Sequence, residues 1–167
     1  MKIFNYSYLN DLTGKAKLSP RLRQHHNIHQ SYQDVCQRLF NSIEPGSYIR
    51  PHRHNCDPKD ELLIAVRGVM ALVTFDDHGD IISVLRFGAE RIGEDIALGA
   101  EVPPSSWHTV IALESGCILL EIKAGPFDPK QPKDLATWAP EEGSSAVHDY
   151  MNGLLEMIDQ PNIAKLV

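Results

Sequence analysis

Between Val35 and Lys123 apolar and polar residues alternate in short runs instead of recurring every three or four positions, the pattern of strands and not of helices. The predicted strands are Gln37–Ile43, Ser47–His54, Glu61–Val66, Val69–Phe75, Ile81–Phe87, Val110–Leu113 and Cys117–Lys123. Turn chemistry separates them: Glu44-Pro45-Gly46, Arg67-Gly68, Asp76-Asp77-His78-Gly79-Asp80 and Glu114-Ser115-Gly116 each supply Gly where a positive φ costs little. The expectation is an all-β domain with consecutive strands paired antiparallel. Periodicity alone leaves a sandwich and a closed barrel equally open.

The flanks read differently. Residues 1–30 are mixed, with Lys15, Lys17, Arg21 and Arg23 close together and Ser19-Pro20 breaking any helix, so they are expected to form an arm or a short helix. Residues 31–125 hold the β pattern. Beyond them, Pro126, Pro129, Pro132 and Pro140 break regular structure, so 126–167 is read as a Pro-rich wrap ending in an amphipathic helix over Ala146–Asp159. Val147, Met151, Leu154, Leu155 and Ile158 fall on one face of that helix, which is expected to pack on its own domain. All three parts belong to a single domain.

Composition narrows the function. A chain of 167 residues, 43% hydrophobic and 23% charged, can bury a sizeable core. No apolar run approaches the roughly 18 residues of a membrane span, and Met1-Lys2-Ile3-Phe4-Asn5-Tyr6 turns polar too soon for a signal-peptide core, so a cytoplasmic location is expected. A net charge of -6 gives no bulk positive field for nucleic acid. Cys36, Cys56 and Cys117 form an odd set with no CxxC pair, which argues against a disulfide framework or a zinc ribbon.

Histidine carries the chemistry. Five of the eight histidines fall in two clusters, His25-His26-x2-His29 and His52-x-His54. Two apart in a predicted strand, His52 and His54 leave one face of the sheet and can converge on one ion. Glu61 opens the next predicted strand, and its carboxylate can return to the same level if the two strands are neighbours. Val102-Pro103-Pro104-Ser105-Ser106-Trp107-His108 places another imidazole just after a turn. Three imidazoles and a carboxylate suit Zn, Fe, Mn, Ni or Cu alike. Cys56 continues the alternation of His52 and His54 but ranks below Glu61 as a ligand. Tyr48 and Arg50 share the same face by period two and are expected to extend the pocket, with core packing as the competing role for Tyr48. His78 in a turn and His148 on the terminal helix are expected to be exposed.

The order Gly46-x5-His52-x-His54, then Glu61, six residues and Gly68, then a Pro-rich turn ending in His108, resembles the two sequence motifs of the cupin superfamily. Over residues 20–143 the chain is more similar still to the WbuC-type cupin-fold metalloproteins, through Arg23-x3-Asn27-x-His29, Gln37-Arg38-Leu39, Tyr48-Ile49-Arg50-Pro51-His52-Arg53-His54, Gly125-Pro126-Phe127 and Trp138-Ala139-Pro140-Glu141. The resemblance implies a cupin-type small β-barrel, or jelly roll, with one divalent metal ion held by His52, His54, Glu61 and His108. It also implies Arg23, Asn27 and His29 as a lining of the barrel mouth. This sequence departs from the common cupin pattern in having six residues between His54 and Glu61, Ser105 in place of Gly, and Ala112 in place of Asn.

The same resemblance implies a metal-dependent enzyme acting on a small polar, carbohydrate-related metabolite, with isomerase or epimerase chemistry, in surface-polysaccharide synthesis. A non-catalytic metabolite sensor and a metal-dependent dioxygenase are the alternatives. A homodimer is expected, since cupin barrels frequently pair through sheet edges or swapped arms.

Overall fold

Strands with alternating burial build two facing sheets. The computed structural model describes residues 1–55, 58–89, 96–130 and 133–160. The elements are α1 (Tyr6–Leu18), β1 (Arg23–Asn27), β2 (Cys36–Ile43), β3 (His52–Arg53), β4 (Glu61–Arg67), β5 (Val69–Phe75), β6 (Ile81–Gly88), β7 (Gly99–Val102), β8 (Trp107–Ala112), β9 (Cys117–Ala124), β10 (Asp134–Leu135) and α2 (Val147–Ile158). One sheet runs β1-β2-β9-β4-β7 and the other β10-β3-β8-β5-β6. All pairings between these strands are antiparallel.

Among them only β1–β2 and β5–β6 join consecutive strands, which corrects the expectation of pairing in chain order. From β2 to β5 and again from β6 to β10 the chain passes to the opposite sheet at every connection. The corner after β4 is a single residue, Gly68, at φ 76°. A Cβ there would lie 2.6 Å from Cys117 Sγ, so only glycine lets the chain change sheets at that point.

Each interior face is apolar at one end. Ile43, Leu63, Ala65 and Leu119 from one sheet meet Met70, Leu72, Phe87, Val110 and Ala112 from the other. The outer faces are covered too. Asn5 caps α1 by accepting from the Tyr8 N–H, and Leu9 and Leu12 press onto Phe40 and Ile118 outside the first sheet. Met151, Leu154 and Ile158 of α2 lie over Ala71, Val73 and Ile111 outside the second. Burying three such side chains contributes about 1.5–3 kcal/mol each. Strand β5 is therefore apolar at nearly every position, being covered on both faces.

Three strands escape the hydrophobic pattern: β1, β7 and β10 are short edge strands, and β1 draws residues expected in the arm into the sheet. The predicted strand Ser47–His54 shrinks to β3. Pro51 has no N–H to offer a ladder, and regular pairing begins only at His52. As a result the two-residue period does not run through this segment: Ile49 packs against the interior core, whereas Tyr48 joins the outer cluster under α2 and donates its hydroxyl to Pro140 O at 2.8 Å. Tyr48→Phe is expected to lower unfolding free energy by about 1 kcal/mol in a urea titration, with bound metal unchanged. A loss of metal in that variant would return Tyr48 to the interior.

Candidate metal centre

The inward positions that are apolar at one end of the molecule become polar at the other, on the same strands. On β9, Cys117 and Leu119 are followed two by two by Glu121 and Lys123; on β8, Ala112 and Val110 lead back to His108; on β4, Ala65 and Leu63 lead back to Glu61. A cavity of about 390 Å³ opens at the polar end.

On its wall four side chains converge. His52 and His108 face each other in register on β3 and β8, their ring centroids 4.5 Å apart, and His54 follows just past the end of β3, 5.5 Å from His52. Glu61 arrives from the opposite sheet, so the two strands are not neighbours and the carboxylate reaches the histidines across the gap between sheets. Its Oε2 lies 3.5 Å from His54 Nε2 and 3.3 Å from His108 Nε2. The four ligand atoms all fall within 4.8 Å of one another.

Hydrogen bonds settle which atoms face the cluster. His52 Nδ1 lies 3.1 Å from Arg50 O and His108 Nδ1 2.9 Å from Ser106 O. A carbonyl only accepts, so these nitrogens carry the protons and the Nε2 lone pairs are left for an ion. His54 Nε2 is buried with no hydrogen bond of its own. Lys123 donates to Glu61 Oε1 at 3.0 Å, leaving Oε2 for the cluster. Burial, followed by the charge of Lys133, holds His52 well below the usual imidazole range, in the neutral form that ligates. Burial alone would raise the Glu61 carboxyl, but its neighbours, the Lys123 ammonium among them, outweigh it and hold it well below the usual range. Three imidazoles and one carboxylate fit a divalent ion, which His52, His54, Glu61 and His108 would hold.

The short strand that carries His52 and leads into His54 is fixed from its other face. Arg53 stacks 4.3 Å from the Trp107 ring and bonds Asp77 at 3.0 Å, while Trp107 Nε1 donates to the same Asp77 oxygen at 2.9 Å. Arg53 also lies 3.5 Å from Asp134 on β10. In the turn before His108, Ser105 holds φ 64°, the backbone region that favours glycine, and its hydroxyl donates to Asn55 Oδ1 at 3.0 Å. The cupin glycine position is thus conformationally retained with serine in it.

Of the remaining predicted site residues, Arg23, Asn27 and His29 line the cavity, and Tyr48 and Arg50 do not. Arg23 is engaged with Tyr48 O at 2.8 Å and Glu142 at 2.7 Å. Arg50 donates to Ala136 O at 3.0 Å, which ties the wrap to the sheet. The period-two expectation fails for Tyr48 and Arg50 because the chain is irregular up to Pro51. Cys56 lies outside the described residues, and Cys36 and Cys117 are free thiols. Sequence reasoning missed Glu121, Lys123 and Lys133, all on the cavity wall. Two charges two apart in an otherwise apolar strand were the available signal for Glu121 and Lys123.

The architecture is that of a cupin-type jelly roll. More narrowly, the chain belongs to the family described as a domain of unknown function, DUF6016, whose pattern matches residues 4–87. No curated protein sequence matches it. Among solved structures it is similar to KdgF from Halomonas sp., at 14% identity and TM-score 0.50 over 68% of this chain and 87% of that one. It is similar also to TT1209 from Thermus thermophilus, at 18% identity and TM-score 0.50 over 74% of this chain and 97% of that one. The protein SO0799 from Shewanella oneidensis aligns at 10% identity and TM-score 0.52, over 66% and 72% of the two chains. At these identities the likeness speaks for the fold alone.

His52→Ala is expected to weaken metal binding by more than the about 10–100-fold that loss of an outer hydrogen-bond partner costs. Elemental analysis of the purified wild type and variant checks this, and equal metal content in both would remove the assignment.

Proposed function

We propose that the protein is a metal-dependent cupin enzyme acting on a small polar, carbohydrate-related metabolite by isomerase- or epimerase-type chemistry. The convergence of His52, His54, Glu61 and His108 on the wall of a cavity that other charged and polar side chains also line carries this reading. The volume, about 390 Å³, falls in the range of small-molecule sites, and the lining of amide, imidazole and charged groups matches a ligand rich in hydroxyls. The carbohydrate class, with a place in surface-polysaccharide synthesis, rests on the resemblance to the WbuC-type proteins.

A bound divalent ion supplies Lewis-acid polarisation of a substrate oxygen. The chain supplies the rest. Lys123 fixes the Glu61 carboxylate by one oxygen. Glu121 is the proton carrier: burial, then the charge of Glu61, raise its carboxyl above the ordinary range, while Asn41 Nδ2 holds one of its oxygens at 3.0 Å. Tyr32 and Phe127, with ring centroids 5.1 Å apart, offer apolar faces on the cavity wall to the C–H side of a sugar ring. Among the described residues no helix is long and apolar enough to cross a membrane. The cytoplasmic location and the homodimer remain parts of this proposal, with the short edge strands as the surfaces for pairing.

The test is incubation of the metal-loaded protein with aldoses, ketoses and uronic acids in D2O, followed by NMR. Expected outcomes are sugar interconversion or deuterium uptake beside the carbonyl, abolished in Glu121→Gln while its metal content stays at the wild-type level. Tight sugar binding without turnover at full metal occupancy would replace the enzyme by a sensor, and oxygen consumption would replace it by a dioxygenase.

A further inference from the structure

Most charged groups on the cavity wall are answered by a neighbour. Arg21 and Arg23 share Glu142 at 2.6 and 2.7 Å, Lys123 holds Glu61, and Glu121 accepts from Asn41. Lys133 is different. It is an exposed residue that also lines the cavity, and among the described residues its ammonium makes no hydrogen bond and no ion pair.

A second unanswered donor lines the same cavity. His29 is 6% exposed, and its Nε2 is buried with no partner. Its Nδ1 lies 3.1 Å from the Arg38 N–H and 2.9 Å from Arg38 O. The amide can only donate, and that carbonyl already accepts from the Ile28 and His29 amides at 2.8 and 3.3 Å. Nδ1 is therefore the acceptor, and Nε2 carries the proton into the cavity wall. A buried N–H left unpaired is destabilising, so the site is built for an acceptor that arrives with the ligand. An ammonium on the wall of the same cavity, with no partner among the described residues, favours an anionic acceptor.

We infer that Lys133 and His29 form an oxyanion subsite, which takes the carboxylate or phosphate terminus of the ligand whose other end lies at the four-residue metal cluster. This rests on the metal-centre reading and narrows its substrate class to acidic metabolites such as sugar acids or sugar phosphates. Neither sequence motif at the cluster reaches these two residues: His29 comes from the segment after β1 and Lys133 from the segment before β10.

Isothermal calorimetry on the metal-loaded full chain separates the possibilities, with tartrate and glycerol phosphate as anionic probes and tartramide and glycerol as neutral counterparts. Each anion is expected to bind about tenfold or more tightly than its neutral partner. The tighter of the two anions identifies the terminus. Lys133→Gln is expected to remove the difference and Lys133→Arg to restore it, both with wild-type metal content. Equal binding of charged and neutral probes, or a Lys133→Gln protein that still discriminates, overturns the subsite. The same titrations on chelated protein keep the two readings apart. Discrimination that persists in a chain that never holds metal leaves the subsite standing and removes the metal centre. Metal at full occupancy without discrimination does the reverse.

Discussion

The polar end of this molecule depends on one buried carboxylate. Glu61 is 4% exposed, sits in the gap between two sheets, and is held ionised there. Removing a carboxylate from water costs several kcal/mol unless charge and hydrogen bonds replace the solvent. Lys123 donates to one oxygen from the adjacent strand of the same sheet, and the other oxygen faces His54 and His108 of the opposite sheet. Apolar packing fastens the two sheets at one end, through Leu63 against residues such as Leu72 and Val110. At the other end an ion held by Glu61 from one sheet and the histidines from the other would supply the fastening.

That division explains why the interior can hold both a dry core and a chamber of charged groups without a separate domain for each. A strand presents alternate residues to the interior, so changing polarity partway along the inward set changes the solvent character of one end while leaving the register intact. Strands β4, β8 and β9 all make the change at about the same level. The outer faces have to be sealed by α1 and α2, because the inward positions given up to the chamber no longer contribute to the core.

The regular strands and the three histidine ligands were legible because their signals are local. Val69–Phe75 is an unbroken β-branched and apolar run closed by turn residues, and His52-x-His54 declares a shared direction as soon as a strand is assumed. What failed depends on long-range pairing. That Glu61 lies opposite the histidines, and not beside them, is a property of the sheet exchange at each connection, which leaves no mark in hydrophobic period. Tyr48 and Arg50 lie off the cavity wall because Pro51 interrupts the alternation between them and His52, and Tyr48 takes the packing role instead. Lys133 stands in a Pro-rich stretch with no period at all, so only the fold could bring it to the cavity.

The two faces of β3 show how a two-residue strand can position ligands. A pair of residues forms too few ladder bonds to hold its own orientation, and flanking chain on both sides is irregular. Rigidity is supplied by Arg53, which projects away from the histidines and is gripped by the Trp107 ring, Asp77 and Asp134 from three separate segments. Trp107 precedes His108 in the chain, so the residue that braces one ligand strand is continuous with the strand that carries the third imidazole. The ring stacks outside the sheet while the imidazole beside it turns inward, and alternate residues of β3 and β8 thus serve support and ligation in turn. The Gly-to-Ser departure in the preceding turn is tolerated for a related reason: Ser105 adopts the glycine conformation and bonds Asn55, tying the turn to the residue that follows His54.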